Sequence, residues 1–267
     1  MLIQNSHHDV ETPTGTMRIH VVSPKLPTYP HAKFPGVVVF SEIYQVTGPV
    51  LRFAEMIASH GYVVAAPCVF HEFEGPTALA YDVEGTDKGN AYKKEKLLKA
   101  YDDDAKATID LLESLPNCNG RISATGMCLG GHLAFRCAFD PRILSTCCFF
   151  PTDIHDEQLG SPKPSDSLKR CAEIRGELMM ILGVNDTHVD LAGRTLIRNR
   201  LYELPITLSW MEVQAGHAFI RDELSKGRFD GALTRNCVGF MLEMFDRTIG
   251  RDLGPKVGND EPPPHIC

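Results

Sequence analysis

The sequence predicts one doubly wound α/β domain, a mainly parallel sheet with helices on both faces. Three observations carry this. Short apolar runs alternate with helix-length amphipathic stretches, the pattern of strand–helix–strand units. The central run at 36–40, GVVVF, is apolar throughout, as a strand buried on both faces must be. Finally, 267 residues with 43% hydrophobic and 23% charged side chains can build a sizeable core in one large domain.

The elements follow in order. Residues 17–23 alternate like an edge strand, and a connector with Pro24, Pro27, Pro30 and Pro35 leads to the strand at 36–40. Pro49 suits an early helix position, and that helix is expected to stop near His60 at Gly61. Residues 62–66 read as a second buried strand. The polar stretch 67–90, with Gly75, Pro76, Gly85 and Gly89, is longer than most loops and is expected to be mobile or functional, its part from 75 to 90 serving as a lid. Residues 91–115 read as one long helix with Leu97, Leu98, Tyr101, Ala105, Ile109 and Leu112 on a stripe. Strands at 121–125, 143–150, 177–182 and 207–213 alternate with helices at 132–139, 191–202 and 231–248, and 152–170 is polar. Residues 254–267 are Pro-rich and expected to be loose.

Composition excludes several classes. Lys and Arg number 27 against 34 Asp and Glu, a net charge of −7 with no basic cluster, so nucleic acid is not an expected partner. No apolar run approaches the roughly 18 residues of a membrane helix, and the first residues lack a secretory pattern, so a cytoplasmic protein away from membranes is expected. The nine cysteines are odd in number and contain no CxxC, which disfavours a disulfide framework. Cys147 and Cys148 would point to opposite faces of a strand and cannot grip one zinc ion together. No metal or organic cofactor is expected.

Chemistry concentrates at one turn. The strand ending RISAT runs into Gly126-Met127-Cys128-Leu129-Gly130-Gly131 and then a helix. A nucleophile at the tip of so sharp a turn needs small neighbours, and glycines lie two before and two after Cys128. The helix N-terminus would favour thiolate, and the Leu129 N–H would face a developing oxyanion. Taken alone, the turn reads equally as a glycine-rich bend around an inert cysteine. A dinucleotide-binding turn needs glycine at 128 and an earlier strand, and is set aside. Two further strand ends supply Asp186 and His217, giving the order nucleophile, acid, histidine of the α/β-hydrolase triad.

These residues resemble the dienelactone hydrolase family, single-domain α/β-hydrolases with a cysteine nucleophile. The resemblance runs from about residue 17 to 248 through VVVFSEIYQV, GMCLGG, LGVNDTHV and GHAFIR. It implies that Cys128 is the nucleophile, His217 the base and Asp186 its orienting acid. It further implies that Glu42 pairs with the resting thiol and yields when substrate binds, that the Ile43 N–H joins Leu129 in the oxyanion hole, and that Tyr44 lines the pocket. A resting thiol with the ordinary pKa of about 8.5 is only slightly ionised near neutrality, so such an arrangement is physically sensible.

The family holds a substrate carboxylate with two arginines. Arg221 matches one, whereas the segment after the third strand reads Pro67-Cys68-Val69-Phe70-His71-Glu72 and has none. His71 would hold an anion weakly and Glu72 would repel it, so the two-point clamp is expected to be broken, with Arg221 binding an anion or pairing with Glu72 or Glu223. Phe70, Tyr44, Phe150 and Tyr92 suggest an aromatic acyl pocket. The expected activity is hydrolysis of a small-molecule ester or lactone through a thioester acyl-enzyme, by a monomer or homodimer. Activated esters, enol-lactones and thioesters suit a thiolate better than amides do. The alternatives are thioester or phosphotriester cleavage by the same triad, and a redox-sensing protein without activity. For the last, Cys137 lies nine residues from Cys128 and is remote for a resolving thiol.

Overall fold

In the computed structural model, residues 1–251 are described; the tail expected at 254–267 lies outside them. The chain opens with a strand that the sequence pattern does not announce. Strand β1 (Leu2–Thr12) turns at Pro13-Thr14 and pairs antiparallel with β2 (Gly15–Lys25) over its whole length. The expected edge strand at 17–23 is therefore one place inside the sheet. The reason is physical: β1 presents almost no buried side chain, so no apolar alternation marks it. Its backbone ladder and the Arg18–Asp9 pair at 2.8 Å hold it in place.

Strand β3 (Phe34–Phe40) is buried after its first residue and pairs parallel with its neighbours on both sides. Helix α1 (Gly48–Ser59) follows and ends at His60, where Gly61 takes φ of +95°. Strand β4 (Val63–Pro67) comes next, then the short helix α2 (His71–Glu74).

The interval 67–115 differs from expectation. Helix α3 (Val83–Glu95) begins inside the expected loop, capped by Asp82, which accepts from the Gly85 N–H at 2.7 Å. Helix α4 (Leu98–Ser114) is separate, because Lys96 and Leu97 adopt extended ψ of 136° and 134°. The break is stabilised from outside the helix pattern. Ser161 N–H donates to Lys96 O and Leu98 N–H to Ser161 O, each at 2.9 Å. The fully buried Lys96 ammonium contacts Glu72 at 2.7 Å and Asp104 at 3.0 Å. Leu97 consequently faces solvent, 54% exposed, while Tyr101, Ala105, Ile109 and Leu112 enter the core.

The remaining elements are β5 (Cys118–Met127), α5 (Leu129–Cys137), β6 (Ile143–Phe149), α6 (Ser167–Arg170), β7 (Glu177–Gly183), α7 (Leu191–Tyr202), β8 (Leu208–Val213) and α8 (Gly231–Phe245). A π-helical turn at Asp246–Gly250 replaces the last expected α-turn. The eight strands lie in the order β1-β2-β4-β3-β5-β6-β7-β8, parallel from β4 onward and antiparallel at β1 and β2, an α/β-hydrolase sheet. Helices α1 and α8 pack Phe53, Ile57, Met241 and Phe245 on one face. Helices α4, α5 and α7 pack Ile109, Phe135 and Ile197 on the other. Among the described residues no helix is long and apolar enough to cross a membrane. Segments leaving the C-terminal ends of β3, β5, β7 and β8 gather at one edge, where open α/β sheets bind ligands.

Candidate active site

Cys128 sits between β5 and α5 with φ of 60° and ψ of −122°, a conformation costly for any residue but glycine. The turn tolerates it because its flanks carry no side chain. A Cβ on Gly126 would run into Gly130 O, and one on Gly130 into Phe40 O. The Cys128 N–H donates to Phe149 O at 3.1 Å, tying the tip to β6. The Leu129 N–H, at the first position of α5, and the Ile43 N–H, just beyond β3, have no backbone acceptor among the described residues.

Asp186, after β7, and His217, after β8, meet at this turn. The His217 Nδ1–H donates to Asp186 Oδ2 at 2.7 Å, and the His188 main-chain N–H donates to Oδ1 at 2.8 Å. Burial works to raise the Asp186 pKa, but the hydrogen bond and charge of His217 hold it below the usual carboxylate value. Burial works to lower that of His217, but the charges of Cys128 and Asp186 prevail and raise it to about 10. His217 Nε2 is buried without a hydrogen-bond partner. Phe150 packs edge-on against His217 with ring centroids 5.0 Å apart.

Glu42 is not on the thiol. It is 2% exposed and pairs with Arg221, Nη1 lying 3.2 Å from Oε2, and it accepts from the Tyr81 hydroxyl at 3.3 Å. Arg221 lies over the Tyr81 ring at 4.4 Å and donates to Leu224 O at 3.0 Å. Its expected partners are occupied elsewhere, Glu72 by Lys96 and Glu223 by Arg52.

A cleft of about 170 Å³ opens over Cys128 and His217. Glu42, Ile43, Tyr44 and Arg221 line it. Four expected contacts do not. Phe70 is fully buried among Phe73 and Tyr92, because its N–H is anchored on Gln45 Oε1 at 3.0 Å. His71 is turned away, its Nε2 3.1 Å from the Thr12 and Thr14 hydroxyls of the β1–β2 turn. Phe150 lies behind His217, and Tyr92 stacks on Phe73 at 4.5 Å.

Part of the wall that sequence reasoning missed comes from α3. Thr86, Asn90 and Lys93, spaced four and three apart, present one helix face to the cleft. Tyr81, Thr152, His188, Lys226 and Arg228 complete it. The cap at Asp82 was the available signal for α3, and once that start is recognised the facing residues follow from helical spacing. Lys93 pairs with the buried Asp153 at 2.9 Å. Part of the 75–90 segment therefore does border the cleft, as helix and ordered turn.

The dienelactone hydrolase family model matches residues 20–246. The chain is 54% identical to the Saccharomyces cerevisiae protein named "Putative carboxymethylenebutenolidase", over 100% of both chains. It is 29% identical to the carboxymethylenebutenolidase of Pseudomonas sp. strain P51, over 81% of this chain and 88% of the other. A solved dienelactone hydrolase-like promiscuous phosphotriesterase from metagenomic libraries superposes with a TM-score of 0.74 at 16% identity, covering 92% of this chain and 98% of its own. The likeness across the whole chain and the match through all four site-bearing strand ends make this chain a hydrolase of the dienelactone hydrolase family.

Proposed function

We propose that the protein hydrolyses a small carboxylic ester or lactone through Cys128, His217 and Asp186. One observation carries the reading: His217 has Nδ1 fixed on Asp186 and a buried, unpartnered Nε2 beside a cysteine held at positive φ. His217 takes the proton of Cys128 Sγ, and the thiolate attacks the carbonyl carbon. The Ile43 and Leu129 N–H groups hold the tetrahedral oxyanion. Collapse breaks the C–O bond, His217 gives its proton to the departing oxygen, and a thioester remains. Water, deprotonated by His217, then releases the acid and restores the thiol.

The Glu42–Arg221 pair shapes substrate choice. With Glu42 on Arg221, the thiol is open to His217, and the one arginine matching the family clamp is already neutralised. A neutral activated ester or lactone fits this state better than a dicarboxylate or a carboxylate-bearing dienelactone. Phosphotriester cleavage is supported only by a fold neighbour at 16% identity.

The test is p-nitrophenyl acetate turnover titrated against iodoacetamide, followed by intact mass, with Cys128→Ala as control. Loss of activity in step with one alkyl group on Cys128 is expected. Full turnover after alkylation or replacement of Cys128 would overturn the reading.

A further inference from the structure

The His217 ring is restrained from three directions. Asp186 holds Nδ1, and Phe150 packs against the ring from the buried side. From the cleft side comes His188, its centroid 4.3 Å away and its plane inclined by 50°. His188 follows Asp186 by two residues and its own main-chain N–H sits on Asp186 Oδ1, so one carboxylate holds the His217 ring and the backbone that carries His188. Among the described residues no hydrogen bond engages the His188 side chain. Its contact with His217 is a ring contact.

We propose that His188 is a positioning residue for His217, a neutral ring that seats the imidazole toward Cys128 and whose protonation weakens the thiolate–imidazolium pair. The inference rests on the triad reading above. When the proton moves from Cys128 Sγ to His217 Nε2, the new imidazolium meets no opposing charge from an adjacent uncharged ring. A second imidazolium at the same distance repels it instead. The charged groups facing His188 are His217, Asp186, Lys93 of α3 and Asp153 of the segment after β6. Lys93 and Asp153 pair with each other at 2.9 Å and largely cancel. Burial, then the His217 charge, keeps His188 below the ordinary imidazole value, so the ring is neutral where the enzyme would work. On acidification His188 gains a proton, and the ion pair beside it is lost at a higher pH than Cys128 and His217 alone would dictate.

The experiment compares wild type, His188→Phe and His188→Ala. Cys128 alkylation by iodoacetamide and p-nitrophenyl acetate kinetics are both followed from about pH 4.5 to 9. His188→Phe retains a neutral ring and removes the titration. Its acid limb should fall with one proton and lie at lower pH, whereas the wild-type limb is steeper. His188→Ala should share that limb and lose about tenfold in kcat, with KM within about twofold, as expected when an imidazole is no longer held in line. Wild-type limbs and kcat in both variants, alongside an inactive Cys128→Ala, would overturn the role of His188 and leave the triad standing. Turnover retained by Cys128→Ala would remove the triad reading and this proposal together.

Discussion

Glu42 and Arg221 form a buried ion pair inside the cleft over Cys128 and His217, 3.2 Å apart, with side chains only 2% and 7% exposed. The cation that lines the cleft beside Glu42 is thus engaged by the chain's own carboxylate. The Tyr81 hydroxyl and the Leu224 carbonyl hold the two partners from outside, and Tyr81 belongs to the segment after β4. Cleft charge is therefore set by an internal pair as much as by the cations at its mouth.

Releasing Arg221 should change selectivity. Glu42→Gln keeps the shape of the side chain and removes the competing charge. The ratio of kcat/KM for p-nitrophenyl hemisuccinate over p-nitrophenyl acetate should rise about tenfold, the worth of one charge-assisted hydrogen bond. Side-by-side steady-state kinetics on the two esters measure this, and an unchanged ratio would show that Arg221 does not face the acyl group.

The coupling of Cys128 to His217 has a direct titration signature. The Cys128 charge is the foremost influence raising the His217 pKa against burial, to about 10. Cys128→Ala deletes that influence while leaving Asp186 in place, so His217 should titrate well below 10. Imidazole NMR titrations of wild type and variant check the direction. An equally high value in both would mean that Asp186 alone supports the imidazolium.

Much of this site is legible in the sequence because it is local. The glycines around Cys128 must be glycines, since Gly126 and Gly130 face backbone oxygens where a Cβ would sit. Strand ends carrying Asp186 and His217 follow from apolar runs bounded by turns. What escaped is set by tertiary partners. The break at Lys96 depends on Ser161 and on a buried charge cluster distant in sequence, and nothing in the helical stripe forecasts it. Strand β1 is polar and half-solvated, so pairing rather than patterning makes it a strand. Their position after β4 points Phe70 and His71 to the pocket. The chain turns there under the Gln45 anchor, sending both side chains into the interior.

The same buried cluster ties stability to pH. Asp104 is wholly buried, its Oδ2 3.0 Å from the Lys96 ammonium and 3.8 Å from His71 Nδ1. Burial raises its pKa to about 7, with Lys96 opposing. The folded value lies above the unfolded one of about 3.9, so the folded state binds the proton more tightly between them. The resulting stabilisation is full below about pH 3.9 and is lost as pH rises through about 7. Asp104→Asn holds the neutral form at every pH, and Lys96 keeps Glu72 at 2.7 Å as its counter-charge. Wild type should therefore lose roughly 2–4 kcal/mol from this group between about pH 4 and 8, a loss that the variant avoids. Urea unfolding midpoints of the two proteins across that range give the comparison. Parallel midpoints at all pH values would mean that Lys96 keeps Asp104 ionised throughout, and that the cluster behaves as a plain buried ion pair.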